Sequence, residues 1–305
     1  MWTREQIPCL NITGSETMKK SWSDKIGIVL FLIPAIVLFV TFFIYPVGYV
    51  AFTSFTKWDG VGAREFVALK NYKYLFTDEV FLKSIKNNVL WALAGGFIQV
   101  PLAVVVALLL SKKPRGWKIF RTIFYFPNII SGLALAMMWL AIYNSEYGAL
   151  NALLKAIGLD NLQKNWLGNM KTALPVMIIY WLFYIGYFMV IVMADISSIP
   201  ESYYEAAEID GASTLKQDLH ITLPLIKGSI STCLTLALIY GLRQFENVYL
   251  MTNGGPDNNT SVMVLYLFKE FGNMNYGLAN AAGIVLILVG SVVIISVRKL
   301  FKVYN

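Results

Sequence analysis

Few side chains in this chain could do covalent chemistry. His220 is the only histidine, and the two cysteines, Cys9 and Cys233, lie far apart. One imidazole cannot make a multi-histidine metal site and leaves acid–base catalysis without a partner, so a structural or interfacial role is expected for His220. Cys233 falls inside an apolar run, and the spacing of the two cysteines suits neither a metal nor a disulfide framework. The acids do cluster: Asp195, Glu201, Glu205, Glu208, Asp210 and Asp218 all lie in residues 194–226, ADISSIPESYYEAAEIDGASTLKQDLHITLPLI. Two polar-aromatic trios stand at i, i+4, i+7 spacing: Tyr180, Tyr184 and Tyr187, then Tyr240, Gln244 and Asn247. On an unbroken helix each trio shares a face. Aromatic rings beside uncharged hydrogen-bonding groups suit a sugar, with its apolar ring faces and hydroxyl edges; interfacial aromatics and helix–helix hydrogen bonds are the other reading. Arg243 beside an apolar run needs a partner or water. Glu246, three residues on, is the expected partner, and contact with an anionic ligand is the alternative.

The elements that hold these residues must lie in a bilayer. Of 305 residues, 57% are hydrophobic and 14% charged, and the mean hydropathy is +0.60, far too apolar for a soluble domain. The net charge of +7 sits mostly in short segments flanking apolar runs, which points to membrane orientation rather than to nucleic acid. Runs long enough to cross the hydrocarbon core predict an all-α membrane protein with six spans: 26–51, 89–110, 123–143, 173–193, 229–242 extended to about 249, and 277–297. Pro34, Pro46 and Pro101 predict kinks. The domain organisation follows: an N-terminal segment 1–25, a six-span domain 26–297 and a tail 298–305. Met18-Lys19-Lys20 before the first run reads as a second start, and without a small-residue cleavage site the first helix is expected to be retained. No short repeat or low-complexity segment is apparent.

Lys112, Lys113, Arg115, Lys118 and Arg121 crowd the link between the second and third spans, which places that link and both termini in the cytoplasm. The long segments 58–88 and 144–171 then face outward. Residues 194–226 fall inside despite their acids. Pro200-Glu201-Ser202 starts a helix, 202–209 are good helix formers, and Gly211 can supply a left-handed turn that ends it, so helix, Gly turn, helix is expected. Ala206 and Ala207 leave one face smooth, with Glu205 and Glu208 at its border.

Here the sequence resembles the EAA motif of ABC importer permeases: Glu205-Ala206-Ala207, then Gly211, then Ile221-Thr222-Leu223-Pro224. The resemblance implies that this loop is a coupling helix seated on a separate ATPase, through Tyr204, Glu205, Ala206, Ala207, Asp210, Gly211, Ala212, Leu223 and Pro224. Phe245-Glu246-Asn247-Val248-Tyr249, Met251-Thr252-Asn253-Gly254-Gly255-Pro256, the segment FTSFTKWDG at 52–60 and Asn71-Tyr72 are similar to the carbohydrate-uptake permeases related to the maltose and glycerol-3-phosphate systems; Asn-Gly-Gly-Pro also suits a plain turn. The likeness runs from about Ile26 to the end. It implies a bacterial or archaeal cytoplasmic-membrane assembly with a second homologous permease, two ATPase subunits and an extracytoplasmic solute-binding protein.

The chain has no G-x-x-x-x-G-K-[ST] loop, so ATP and Mg2+ are expected on the partner ATPase, with no cofactor in this chain. The expected substrate path comprises Tyr180, Phe183, Tyr184, Tyr187, Tyr240, Gly241, Arg243, Gln244 and Asn247. Positions corresponding to the sugar site of the maltose system fall near Leu182, Phe183, Gly186, Ala237, Gly241 and Gln244, where several expected polar residues are apolar, a departure that speaks against maltose itself. No acid lies well inside a span, against an ion-coupled secondary transporter, and no nucleophile, acid–base or metal set converges, against a membrane enzyme.

Overall fold

The computed structural model describes residues 22–300; Cys9, the Met18-Lys19-Lys20 start and residues 301–305 lie outside it. The described residues are nearly all helical. Helices long and apolar enough to cross a membrane are α1 (Gly27–Thr53), α2 (Glu79–Ser111), the pair α5 (Ala173–Leu182) and α6 (Gly186–Ile196), and α11 (Tyr276–Leu300). Two bent pairs reach that length only when joined. In the first, α3 (Trp117–Tyr125) and a short 3-10 turn meet α4 (Gly132–Ile142) at 99°. In the second, residues 214–225 meet α8 (Lys227–Leu242) and α9 (Glu246–Met251) at 70°. Four spans thus become six if each pair is one span. The short helix α7 (Ser202–Ile209) follows α6, and α10 (Met263–Gly272) precedes α11.

Contacts divide the chain into residues 1–49 and 50–305. In the first unit every described side chain from Gly27 to Gly48 is exposed, an apolar surface without a partner in its own unit. The second unit carries three apolar clusters. One joins the later half of α2 to α6 through Val100, Val104, Phe188 and Val192; a second joins α8, α10 and α11 through Leu234, Leu238, Met263 and Ala282; a third gathers Trp91, Met177, Tyr180, Val248 and Leu265. Lipid is as apolar as leucine, so close approach matters more than hydrophobicity in such contacts. Small residues permit it: a Cβ on Gly241 would lie 2.5 Å from the Ala92 Cα, and one on Gly96 2.8 Å from Leu234 Cδ1.

The prolines act differently from the expected kinks. Widened π-helical turns at Val40–Ile44, Gly95–Gln99 and Asp218–Thr222 each end two residues before a proline, at Pro46, Pro101 and Pro224. Proline lacks an N–H and its ring crowds the carbonyl four residues back; a wide turn displaces that carbonyl without breaking the helix. Pro34 sits inside a helix that runs on to Phe39.

Three expected boundaries change. The second span begins ten residues early, because Asp78 caps α2 by accepting from the Val80 and Phe81 N–H groups and the buried face Phe81, Ser84, Asn87, Asn88, Trp91 is already helical. Lys83 and Lys86, in the segment expected to face outward, are carried on this helix. The expected continuous span 123–143 is bent where Pro127 enters a 3-10 turn and Ser131 starts a new helix, its Oγ accepting from the Ala134 N–H. The expected run 229–249 is interrupted at residues 243–245.

Two side-chain amides of α2 hold the interruptions. Asn88 Nδ2 donates to the Gly241 and Leu242 carbonyls, both at 3.0 Å, while its Oδ1 accepts from the Met263 N–H at 2.7 Å. Gln99 Nε2 donates to Trp181 O at 2.9 Å and Tyr184 O at 3.3 Å, across the α5–α6 break. Backbone groups freed inside a membrane protein must find such partners. Before α2, strands β1 (Thr56–Lys57) and β2 (Glu65–Phe66) pair antiparallel, and Asp59 Oδ1 accepts from the Val61 and Gly62 N–H groups.

Two outcomes follow. Asn88→Leu leaves two buried carbonyls and one N–H unpaired and should cost about 3 kcal/mol, read as a lowered thermal midpoint of the purified protein; an unchanged midpoint would show that the amide is dispensable. Gly62 and Val61 hold the Asp59 carboxyl below its ordinary value. A depressed carboxyl stabilises fully above its unfolded pKa of about 3.9 and loses that contribution as pH falls through the folded value. The fluorine resonance of 5-fluorotryptophan at Trp58, whose indole donates to Gly62 O, should therefore be flat from about pH 8 to 5 and shift only below about pH 4. Asp59→Asn should abolish that shift, and movement already under way near neutrality would contradict the reading.

Candidate functional site

The breaks in α5–α6 and α8–α9 are where polar side chains collect. A cavity of about 690 Å³ is lined by Trp181, Tyr240, Arg243, Gln244, Phe245, Glu246, Asn247, Val264 and Leu286. A second, of about 290 Å³, is lined by Gln99, Tyr125, Asn128, Trp181, Tyr184, Tyr187, Phe188 and Tyr240. Trp181 and Tyr240 border both. Tyr240, Gln244 and Asn247 thus share a wall although they do not share a helix: the chain leaves helical geometry at Arg243, and Phe245 stands at φ −147°, ψ −64° before α9 begins. Asn247 Nδ2 donates to Gln244 Oε1 at 3.1 Å, which fixes the two amides together.

The tyrosine trio is divided. The break between α5 and α6 spoils the i, i+4, i+7 register; Tyr184 and Tyr187 line the smaller cavity, while Tyr180 is 1% exposed and packs its ring 5.3 Å from Trp139. Phe183 lines neither cavity, and Gly241 is occupied in packing against the Ala92 backbone. The expected Arg243–Glu246 pair does not form. Among the described residues the ion pairs are Lys83–Asp257 and Lys112–Asp218. The Glu246 carboxylate instead lies against the first turn of α4, where a Cβ on Gly132 would meet Oε2 at 2.8 Å. A helix N-terminus is a favourable place for a carboxylate. Arg243 keeps an exposed guanidinium on the cavity wall.

Gln99, Asn128, Tyr125 and Trp181 were missed by helical spacing. Gln99 had a signal: an amide in the middle of an apolar run is expensive and needs a reason. Its Oε1, like Asn128 Nδ2, is buried without a hydrogen-bond partner. Both residues line a cavity otherwise walled by aromatic rings, an arrangement able to bind hydroxyl groups flanked by apolar faces.

The acid-rich loop forms the expected helix, turn and helix. After α7, Gly211 adopts φ +74°, its N–H donates to Glu208 O at 3.0 Å, and the Ala212 N–H donates to Ala207 O at 2.9 Å. This pair of bonds is the Schellman termination, which needs a residue tolerant of the left-handed region. No atom lies within 4 Å of a Cβ built at Gly211. Glu205, Ala206, Glu208, Asp210 and Gly211 are exposed, Ala207 and Ala212 are half-buried, and Ile209 is 87% exposed. Tyr204 Oη bonds Thr222 Oγ1 at 3.0 Å, tying α7 to the turn that precedes Leu223 and Pro224. Half-buried Leu223 packs against the α2–α6 cluster, and Pro224 is exposed. Lys112 at the end of α2 pairs with Asp218, and Ser229 Oγ donates to Asp195 Oδ2 at 2.6 Å.

Comparison with known proteins gives a consistent family. The family described as binding-protein-dependent transport system inner membrane component matches residues 99–303. The probable ABC transporter permease protein YurN of Bacillus subtilis is 36% identical over 284 residues, covering 92% of this chain and 97% of its own length. The multiple sugar-binding transport system permease protein MsmF of Streptococcus mutans is 34% identical, covering 90% of this chain and 95% of itself. A chain in the crystal structure of a bacterial alginate ABC transporter, in complex with an alginate pentasaccharide-bound periplasmic protein, superposes with a TM-score of 0.80 at 25% identity, covering 92% of this chain and 96% of that one. The match over most of the chain, on a helical membrane fold, means that the protein belongs to the binding-protein-dependent transport system inner membrane component family.

Proposed function

We propose that this chain forms half of the translocation path of an ATP-driven importer for an oligosaccharide, and that residues 194–226 couple the path to a separate ATPase. The observation that carries the substrate reading is the pair of adjoining cavities at the two helix breaks, which share Trp181 and Tyr240 and are lined by the amide residues Gln99, Asn128, Gln244 and Asn247. Relatives named for multiple sugars, diacetylchitobiose and arabinooligosaccharides support the class. Arg243 narrows it: a guanidinium without a carboxylate partner among the described residues favours a sugar bearing acidic groups, as does the likeness to a bacterial alginate transporter.

With six spans and both termini in the cytoplasm, α7 would lie on the cytoplasmic face, a reading supported by the cations of the link at residues 112–121. A short exposed helix cannot bury its surface alone, and Ala206 and Ala207 let another protein approach closely. Closure of an ATPase dimer around ATP and Mg2+ would draw α7 inward together with the corresponding helix of the second permease, opening the path toward a loaded solute-binding protein. Hydrolysis resets it. The ties Tyr204–Thr222 and Lys112–Asp218 pass that displacement to the base of α8 and the end of α2. The chain itself catalyses nothing in this scheme.

The coupling reading is tested by ATP hydrolysis of the assembled complex in lipid, with and without loaded binding protein. Glu205→Lys and Gly211→Asp should abolish the stimulation. A left-handed non-glycine residue costs about 1–2 kcal/mol, and nothing among the described residues crowds position 211, so a larger defect reports the surface that covers the loop. Full stimulation in both variants would overturn the assignment. For the path, Arg243→Gln should lower uptake of a uronate oligosaccharide about tenfold or more, the worth of one charged hydrogen bond. Uptake of a neutral oligosaccharide should change little, and equal loss for both would remove Arg243 as a selector of charge.

A further inference from the structure

A smaller cavity, of about 140 Å³, lies away from the path, where the end of α2 meets α3 and the end of α6. Its polar lining is Ser111, Lys113, Trp117, Arg121 and Ser197, and no carboxylate borders it. Asp218 is already paired with Lys112, and Asp195, next to Ala194 in the chain, accepts from Ser229 Oγ. Glu201 and Glu208 border the neighbouring cavity, which Lys113 also lines, but not this one. Arg121 has no ion pair among the described residues, and Ser111 Oγ is buried without a hydrogen-bond partner. Lys113 is held at φ +52°, in the left-handed region that a non-glycine residue rarely adopts. Two cations around a space of about four to five waters fit a phosphate group.

We propose that this cavity binds the phosphate of an acidic membrane lipid. The source is argued from the walls. Leu110, Val190, Met193 and Ala194 make an apolar floor, and α3 presents exposed Ile119, Phe120 and Ile123 beside Lys118 and Arg121. The start of a span of this kind sets its apolar residues among acyl chains and its basic ones among headgroups. Lys118 is not among the residues that line the cavity.

Native mass spectrometry of the full assembled transporter, released from vesicles of phosphatidylglycerol and phosphatidylcholine, tests this. Wild type should retain phosphatidylglycerol preferentially; Lys113→Gln with Arg121→Gln should reduce that retention about tenfold; Arg121→Lys and the control Lys118→Gln should keep most of it. These exposed cations lie outside the apolar clusters, and basal ATP hydrolysis checks that each variant is assembled. Displacement of the lipid by millimolar inorganic phosphate would support the anion site while assigning it to soluble phosphate. Equal phosphatidylglycerol retention by the double variant and Lys118→Gln would overturn the proposal.

Discussion

Two side-chain amides on one long helix allow the rest of this fold to be interrupted. Asn88 and Gln99 of α2 satisfy the carbonyls that α8 and α5 leave open where they stop being helical. In a bilayer those carbonyls would otherwise face hydrocarbon, a cost of several kcal/mol each. With the amides in place the breaks are stable, and helices that would have been smooth apolar rods turn backbone and polar side chains toward a common space. Close approach through Gly95, Gly96 and Gly241 brings the amides within reach.

Function follows from where the breaks fall. They place Trp181, Tyr184, Tyr187 and Tyr240 around one space and Gln244, Arg243 and Asn247 around the next. Unbroken helices at the same positions would carry the tyrosines up one face and bury several of them against neighbours, as happens to Tyr180. Irregular backbone in a membrane is tolerated where it is enclosed by protein or lines a wet cavity. The site and the irregularity are one feature.

The loop at 194–226 works by the opposite logic. Its shape is locally determined: a short helix, a Schellman ending on Gly211 and two anchoring contacts, Tyr204–Thr222 and Lys112–Asp218. Its outer face is left bare, down to an almost fully exposed Ile209. A rigid, locally encoded shape with an unfilled surface is what a docking element requires, because rigidity lowers the entropy lost on association.

Apolar run length determined that the chain is a helical membrane protein, because about twenty residues are needed to cross the hydrocarbon core whatever the neighbours are. The α7–Gly211 turn was legible too, since its signals lie within one hydrogen-bonded turn: Pro200, the helix formers and a glycine at the left-handed position. Only tertiary structure decided the rest. The early start of α2, the bend at Pro127–Ser131 and the division of the tyrosine trio depend on partners far away in sequence, as with Asn88 and Met263. Arg243 and Glu246 are near enough to pair by spacing, yet the chain breaks between them and Glu246 finds the first turn of α4. Spacing predicts a shared face only while the helix continues, and whether it continues here is settled by amides on another helix.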